Sequence, residues 1–182
     1  KDIEFGHVHT EKTRILFCTA SMHEHGYWSK ENEEKLITNT INKLNEHKDF
    51  QISLKIHPVT SSIKEYEKLI EKIGLNIKLY QKENFIELIK EYDVVITYGA
   101  SSIVHECVLL KKPIVSLQLI NDSLTEVSYD ENVIDICKDL NNIFDKINNA
   151  QNKKQHQEIR EKNIENLMGK FDGKCSERAV NE

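Results

Sequence analysis

DVVITYGASSIVHEC, residues Asp93 to Cys107, is the stretch whose reading decides the fold. An apolar, β-branched run suited to a buried strand stops at Gly99-Ala100-Ser101-Ser102 and passes directly into a helical pattern carrying His105 and Glu106. A strand that feeds a helix through a few small residues is the building unit of parallel α/β sheets.

The same alternation extends to both sides. RILFCTAS (14–21) reads as a buried strand, and KENEEKLITNTINKLNEH (30–47) repeats Leu36, Ile37, Ile41 and Leu44 at helical spacing. FQISLKIHP (50–58) is a strand stopped by proline. The next helix, Ser62 to Ile73, carries Ile63, Tyr66, Leu69 and Ile70 and is closed by Gly74. NIKLY (76–80) is a short strand and NFIELIKEY (84–92) a short helix. SSIVHECVLL (101–110) is followed by the strand KPIVSLQL (112–119), and ENVIDIC (131–137) is a candidate sixth strand. Helices over 138–150 and 153–169 would finish the chain, with 148–157 as a solvated hinge between them. Short connections and right-handed crossovers imply a doubly wound, mainly parallel, Rossmann-like α/β sheet.

Composition narrows the function classes. The 182 residues are 38% hydrophobic and 30% charged, which suits one soluble domain with a single core. The formal charge is -5 with Lys and Glu interspersed, so the chain lacks the continuous basic face that nucleic-acid binding needs. No apolar run approaches the roughly 20 residues of a membrane span, and no signal-peptide pattern is present. Cys18, Cys107, Cys137 and Cys175 are far apart and form no CxxC pair, which suits reduced thiols in the cytoplasm. The opening KDIEFGHVHTEKT has no initiator Met and suggests a piece of a longer polypeptide, with residues 1–13 as leader or linker before a single domain over 14–182.

Ligands of open parallel sheets bind at the carboxyl ends of the strands, and three loops there carry unusual chemistry. The turn Gly99-Ala100-Ser101-Ser102 lets backbone approach a ligand, and the helix behind it begins with free N–H groups, which suits a phosphate. Ser101 or Ser102 could equally be an ordinary N-cap. Glu106, one turn in, is too deep to cap; it either accepts from paired hydroxyls such as those of a ribose or is solvated. His57, in KIHP, either donates to a phosphate or sugar hydroxyl or is a turn residue. TASMHEHGYW (19–28) offers Ser21, His23 and His25 as loop contacts. Two histidines flanking Glu24 make a poor tetrahedral set, so no metal is expected. Gly99-Ala100-Ser101 lacks the second glycine of a nucleophile elbow, Ile103 standing in its place, and no Walker lysine motif occurs.

LKIHP, then LY with a short helix, then YDVVITYGASSIVHECVLLKKPIV, and finally DGKCSERAVNE, resemble the carboxy-terminal nucleotide-sugar-binding half of the GT-B fold. The likeness is to the non-hydrolysing UDP-N-acetylglucosamine 2-epimerases and the capsule and teichoic-acid transferases. It runs from about Arg14 to the end. The resemblance implies a donor diphosphate at Ala100 to Ser102, ribose hydroxyls on Glu106, and a base against backbone near Leu79, Tyr80 and Phe85. His57 would face the phosphates or sugar. Where the epimerases carry Thr-Ala-His-Arg-Arg-Glu after the first strand, this chain has Thr19-Ala20-Ser21-Met22-His23-Glu24, and Ala100-Ser101-Ser102 replaces their Ser-Gly-Gly. Those departures favour glycosyl or polyol-phosphate transfer from a UDP- or CDP-type donor, without cofactor, in polysaccharide or glycoconjugate synthesis. Epimerisation, and a non-catalytic binding or scaffolding domain, are the alternatives. The resemblance also implies a second, amino-terminal domain, without which this chain would bind and not turn over.

Overall fold

TRILFC forms strand β1 (Thr13–Cys18), whose Ile15, Leu16, Phe17 and Cys18 are all buried; side chains that alternate to opposite faces and are buried on both mark an inner strand of a covered sheet. The computed structural model describes residues 12–99, 101–120, 133–152, 165, 172–174, 176–177 and 180. Further elements among these residues are α1 (Lys30–Asn45), β2 (Phe50–Lys55), α2 (Ile63–Ile73), β3 (Lys78–Tyr80), α3 (Phe85–Leu88), β4 (Val94–Tyr98), α4 (Ser102–Leu109), β5 (Ile114–Leu117), β6 (Asp135–Cys137) and α5 (Ile143–Asn152). Short 3₁₀ turns over Ile89–Glu91 and Leu140–Asn142 precede β4 and α5.

Among the described residues six strands lie in the order β3-β2-β1-β4-β5-β6, and every pairing is parallel. From β1 the chain winds outward to β3 and then returns to place β4 on the other side of β1. The order therefore reverses between β1 and β4, and a crevice opens there at the carboxyl ends. One core packs Ile37, Ile41 and Leu44 of α1, Tyr66 and Leu69 of α2 and Ile143 and Ile147 of α5 on one face of the sheet. A second packs Leu88 and Ile89 with Val104, Cys107 and Val108 of α4 on the other. The sheet is doubly wound, as the alternating pattern implies.

Element ends differ from the sequence expectation where side chains and backbone disagree. Apolar character continues past β1, β2 and β5, but the strands stop at Cys18, Lys55 and Leu117, because the chain leaves the sheet to form loops. Gly74 closes α2 at φ 75°, its N–H bonded to the carbonyls of Ile70 and Glu71, as its position predicts. Residues 148–152 are not a hinge: α5 runs through Asn152 and buries Ala150. The helix expected over 153–169 lies almost wholly outside the described residues.

Cys18, Cys107 and Cys137 are buried thiols, and among the described residues none of them forms a disulfide. Burial pushes the Cys18 thiol up to about 12 from 9.0, against a smaller lowering by Lys55. A raised thiol contributes stability that is complete below the unfolded value and is lost as pH rises from about 9 toward about 12. Urea midpoints across that window should fall more steeply for the native chain than for Cys18→Ala. Parallel slopes would show that the Cys18 thiol is not a source of the alkaline loss.

Candidate functional site

At the β1/β4 crevice lies an open cleft of ≈ 690 Å³. Its walls are the loop after β1 (Thr19, Ala20, Met22, His25, Tyr27), the end of β2 (Lys55 to Pro58), the loop after β3 with Phe85, and the start of α4 (Ser101, Ser102, Ile103 and Glu106). Residues from four segments far apart in sequence thus converge where the topology leaves a gap.

Glycine is required at the β4 turn. Gly99 has φ 68°, and a Cβ there would sit 2.9 Å from the Met22 sulfur and 3.4 Å from the Ala20 Cβ. The loops after β1 and β4 therefore pack directly on one another. Ser101 caps α4, its Oγ accepting from the Ile103 N–H at 3.4 Å. Its own N–H donates to the Gly99 carbonyl at 2.9 Å and is thereby committed within the turn. The sequence offered both Ser101 and Ser102 amides to a phosphate; the turn consumes the first. The Ser102 amide begins the helix, where the partial positive charge of the dipole lies. Ala100 is outside the described residues.

Glu106 lines the cleft one turn into α4, half-buried, and among the described residues its carboxylate has no hydrogen-bond or ion-pair partner. Lys55 lies on the cleft floor, 6% exposed, and its Nζ donates to the Gln81 carbonyl at 2.9 Å. Both act electrostatically on the Cys18 thiol, Lys55 lowering its pKa and Glu106 raising it. The ammonium and the carboxylate therefore flank the end of β1. His57 lines the same cleft, its ring 6.1 Å from that of His25. Burial, then the neighbouring His25, holds the His57 imidazole below the usual histidine range.

Other candidates fall elsewhere. Tyr80 is a core residue: its ring lies under the Lys78 ammonium at 4.6 Å and its hydroxyl accepts from that of Tyr92 at 3.1 Å. Leu79 packs on the core of the opposite face, so Phe85 is the side chain of that group that reaches the cleft. Ser21 is fully buried at φ 54°, its Oγ 2.9 Å from that of Ser61, so it ties two loops together beneath the surface. His23 turns away from His25 toward a small void between α1 and α2.

What the sequence concealed is the frame beneath the cleft. Glu33 of α1 is 3% exposed and accepts from the Met22 N–H at 3.0 Å, the His23 N–H at 2.7 Å and the Tyr98 hydroxyl at 2.5 Å. Burial and the Glu33 charge push the Tyr98 hydroxyl far up, so it stays a donor. Trp28 stacks on Tyr98 at 5.8 Å. Ser61 links to Ser21, Gln81 Nε2 donates to the Ser61 carbonyl at 2.9 Å, and Lys55 holds Gln81. The loops after β1, β2 and β3 are thereby joined by buried polar contacts, which pre-organises the cleft.

Residues 4–181 match the family model described as UDP-N-acetylglucosamine 2-epimerase. No curated protein sequence matches the chain. Among solved structures, the chain is similar to spinosyn rhamnosyltransferase SpnG complexed with thymidine diphosphate, with a TM-score of 0.64 at 12% identity, over 100% of this chain and 48% of that one. It is also similar to a UDP co-structure of MnaA from S. aureus, with a TM-score of 0.59 at 17% identity, over 94% of this chain and 45% of that one. A third is TarM, with a TM-score of 0.58 at 17% identity, over 98% of this chain and 37% of that one. At such identities the likeness is one of fold, and the chain spans less than half the length of each of these three structures.

Proposed function

We propose, from the premise that the chain belongs to the UDP-N-acetylglucosamine 2-epimerase family, that its cleft binds the nucleotide diphosphate of a sugar donor as one half of a GT-B-type enzyme. The observation that carries this reading is the convergence, at the β1/β4 crevice, of the α4 N-terminus, Glu106 and His57. The Ser102 amide and the turn before it take the diphosphate, Glu106 takes the ribose hydroxyls, and Phe85 lies beside the base. Two of the similar structures are complexes with a nucleoside diphosphate, thymidine diphosphate and UDP, which supports the ligand class.

In the complete enzyme the chemistry is a displacement at the anomeric carbon, with the leaving diphosphate stabilised by helix-terminal N–H groups. The acceptor and the base that activates it come from a second domain across the cleft, a reading supported by the chain spanning less than half of each of the three structures named above. The setting is polysaccharide or glycoconjugate synthesis in the cytoplasm. Among the described residues no helix is long and apolar enough to cross a membrane.

The family match favours a second reading, epimerisation at C2 of the sugar. Against it, the loop after β1 carries Ser21, Met22 and His23 where the epimerases carry His-Arg-Arg, and the structure points Ser21 and His23 away from the cleft. Incubating the full-length polypeptide with UDP-N-acetylglucosamine separates the two: a C2-epimerised product supports the family reaction, and sugar moved to an added acceptor supports transfer.

Binding is tested on the chain itself. Calorimetric titration with UDP, CDP and GDP should give saturable heat with a pyrimidine diphosphate, undiminished by EDTA. Silence with all three at millimolar concentration, about -4 kcal/mol at best, would remove the nucleotide from the cleft.

A further inference from the structure

The turn after β2 dictates the protonation of the one imidazole that closes it. His57 Nδ1 lies 3.3 Å from the Val59 N–H, 3.1 Å from the Thr60 N–H and 2.8 Å from the Thr60 Oγ1. Two of these partners are backbone amides, which can only donate, so Nδ1 must present its lone pair. A neutral imidazole with a bare Nδ1 carries its proton on Nε2. From this geometry we infer that His57 is held as the Nε2–H tautomer, a fixed neutral donor that the cleft offers to an acceptor-only group, the diphosphate oxygens of the nucleotide. The identity of that ligand rests on the reading of the cleft given above; the tautomer does not.

This assigns a definite chemical role. With Nε2 protonated and Nδ1 committed to the turn, the ring has no free lone pair for a substrate proton, so His57 positions the ligand and is not the general base. Protonation would place an Nδ1–H against the two amides that now donate to it, and the turn over 57–60 would have to open. The groups acting on the ring are His25 and Glu24 from the loop after β1 and Lys55 of β2, while Lys82, Glu83 and Glu106 line the same cleft. Burial and the neighbouring His25 disfavour the cation, in the same direction as the turn. A histidine that bound phosphate as a cation would need the opposite environment.

Long-range proton–nitrogen NMR on the nitrogen-labelled chain at neutral pH should show the Nε2–H tautomer for His57 and a titration below the ordinary histidine range. His57→Asn places an amide oxygen where Nδ1 lies and so keeps the turn while removing the cleft donor. It should weaken UDP about tenfold and leave uridine binding and urea stability unchanged. His57→Gln brings an amide nitrogen near the Nε2 position and should retain UDP affinity better than the asparagine variant. An Nδ1–H tautomer, or an asparagine variant that binds UDP as tightly as the native chain, overturns the inference. A native chain that ignores UDP sinks instead the reading of the cleft, and the NMR spectrum still decides the tautomer.

Discussion

Glu33→Ala should lower the stability of the chain by about 3–5 kcal/mol, more than any single surface change would. The carboxylate is buried and takes three donors, two of them backbone amides of the loop after β1. Alanine leaves those amides and the Tyr98 hydroxyl without their acceptor, each at about 1–3 kcal/mol, offset in part by water that enters the space left behind. The damage is directional. Met22, which packs against the position of Gly99, and His25 both follow from how that loop is held, so the β1 wall of the cleft should loosen with it. Glu33→Gln separates the two effects. Its amide oxygen can still accept, but its NH₂ faces a donor, so the loss of stability should be smaller while UDP affinity still falls. Urea unfolding and UDP titration on both variants check this. A loss below about 1 kcal/mol for Glu33→Ala would mean that the loop does not depend on the carboxylate.

The contrast between Glu33 and the strands explains which features a sequence exposes. ILFC in β1 and VVIT in β4 announce themselves, because burial on both faces of a sheet demands a continuous apolar run. The carboxyl-end loops follow from that alternation, and so does the place of Gly99, Ser101, Ser102, Glu106, His57 and His25 around one crevice. Glu33 is different: in KENEEKL it is one of three glutamates near a helix start, where acidic side chains are ordinarily solvated. Only the crossing of α1 beneath the β1 loop buries it, and no local pattern encodes that crossing. Lys55 is hidden in the same way, since a lysine ending a strand is usually exposed, whereas this one is buried and donates to the Gln81 carbonyl. The resemblance names Tyr80 only as backbone beside a base; that its ring is core follows from the three-residue edge strand packing against α3, which no local pattern announces.

Glu106 carries the remaining test of the cleft, and its expected effect on affinity is the largest of any residue in it. The carboxylate sits half-buried on the cleft wall without a hydrogen-bond or ion-pair partner among the described residues, on a helix whose other face is core. A carboxylate left open toward a ligand space suits paired hydroxyls, each bond contributing about 1.5–3 kcal/mol when desolvated and less in an open cleft. Glu106→Ala should therefore weaken UDP tenfold or more, since about 1.4 kcal/mol is one decade. Its stability should change by no more than a few tenths of a kcal/mol, because no described residue loses a hydrogen-bond or ion-pair partner. The ligand supplies the matching deletion. A 2′-deoxy nucleotide should bind the native chain worse, yet lose little further on Glu106→Ala, because the contact is already gone. Additive losses from the two deletions would place the ribose elsewhere. Coupled losses would fix the direction in which the nucleotide lies, with its sugar over α4 and its diphosphate at the turn that Gly99 makes possible.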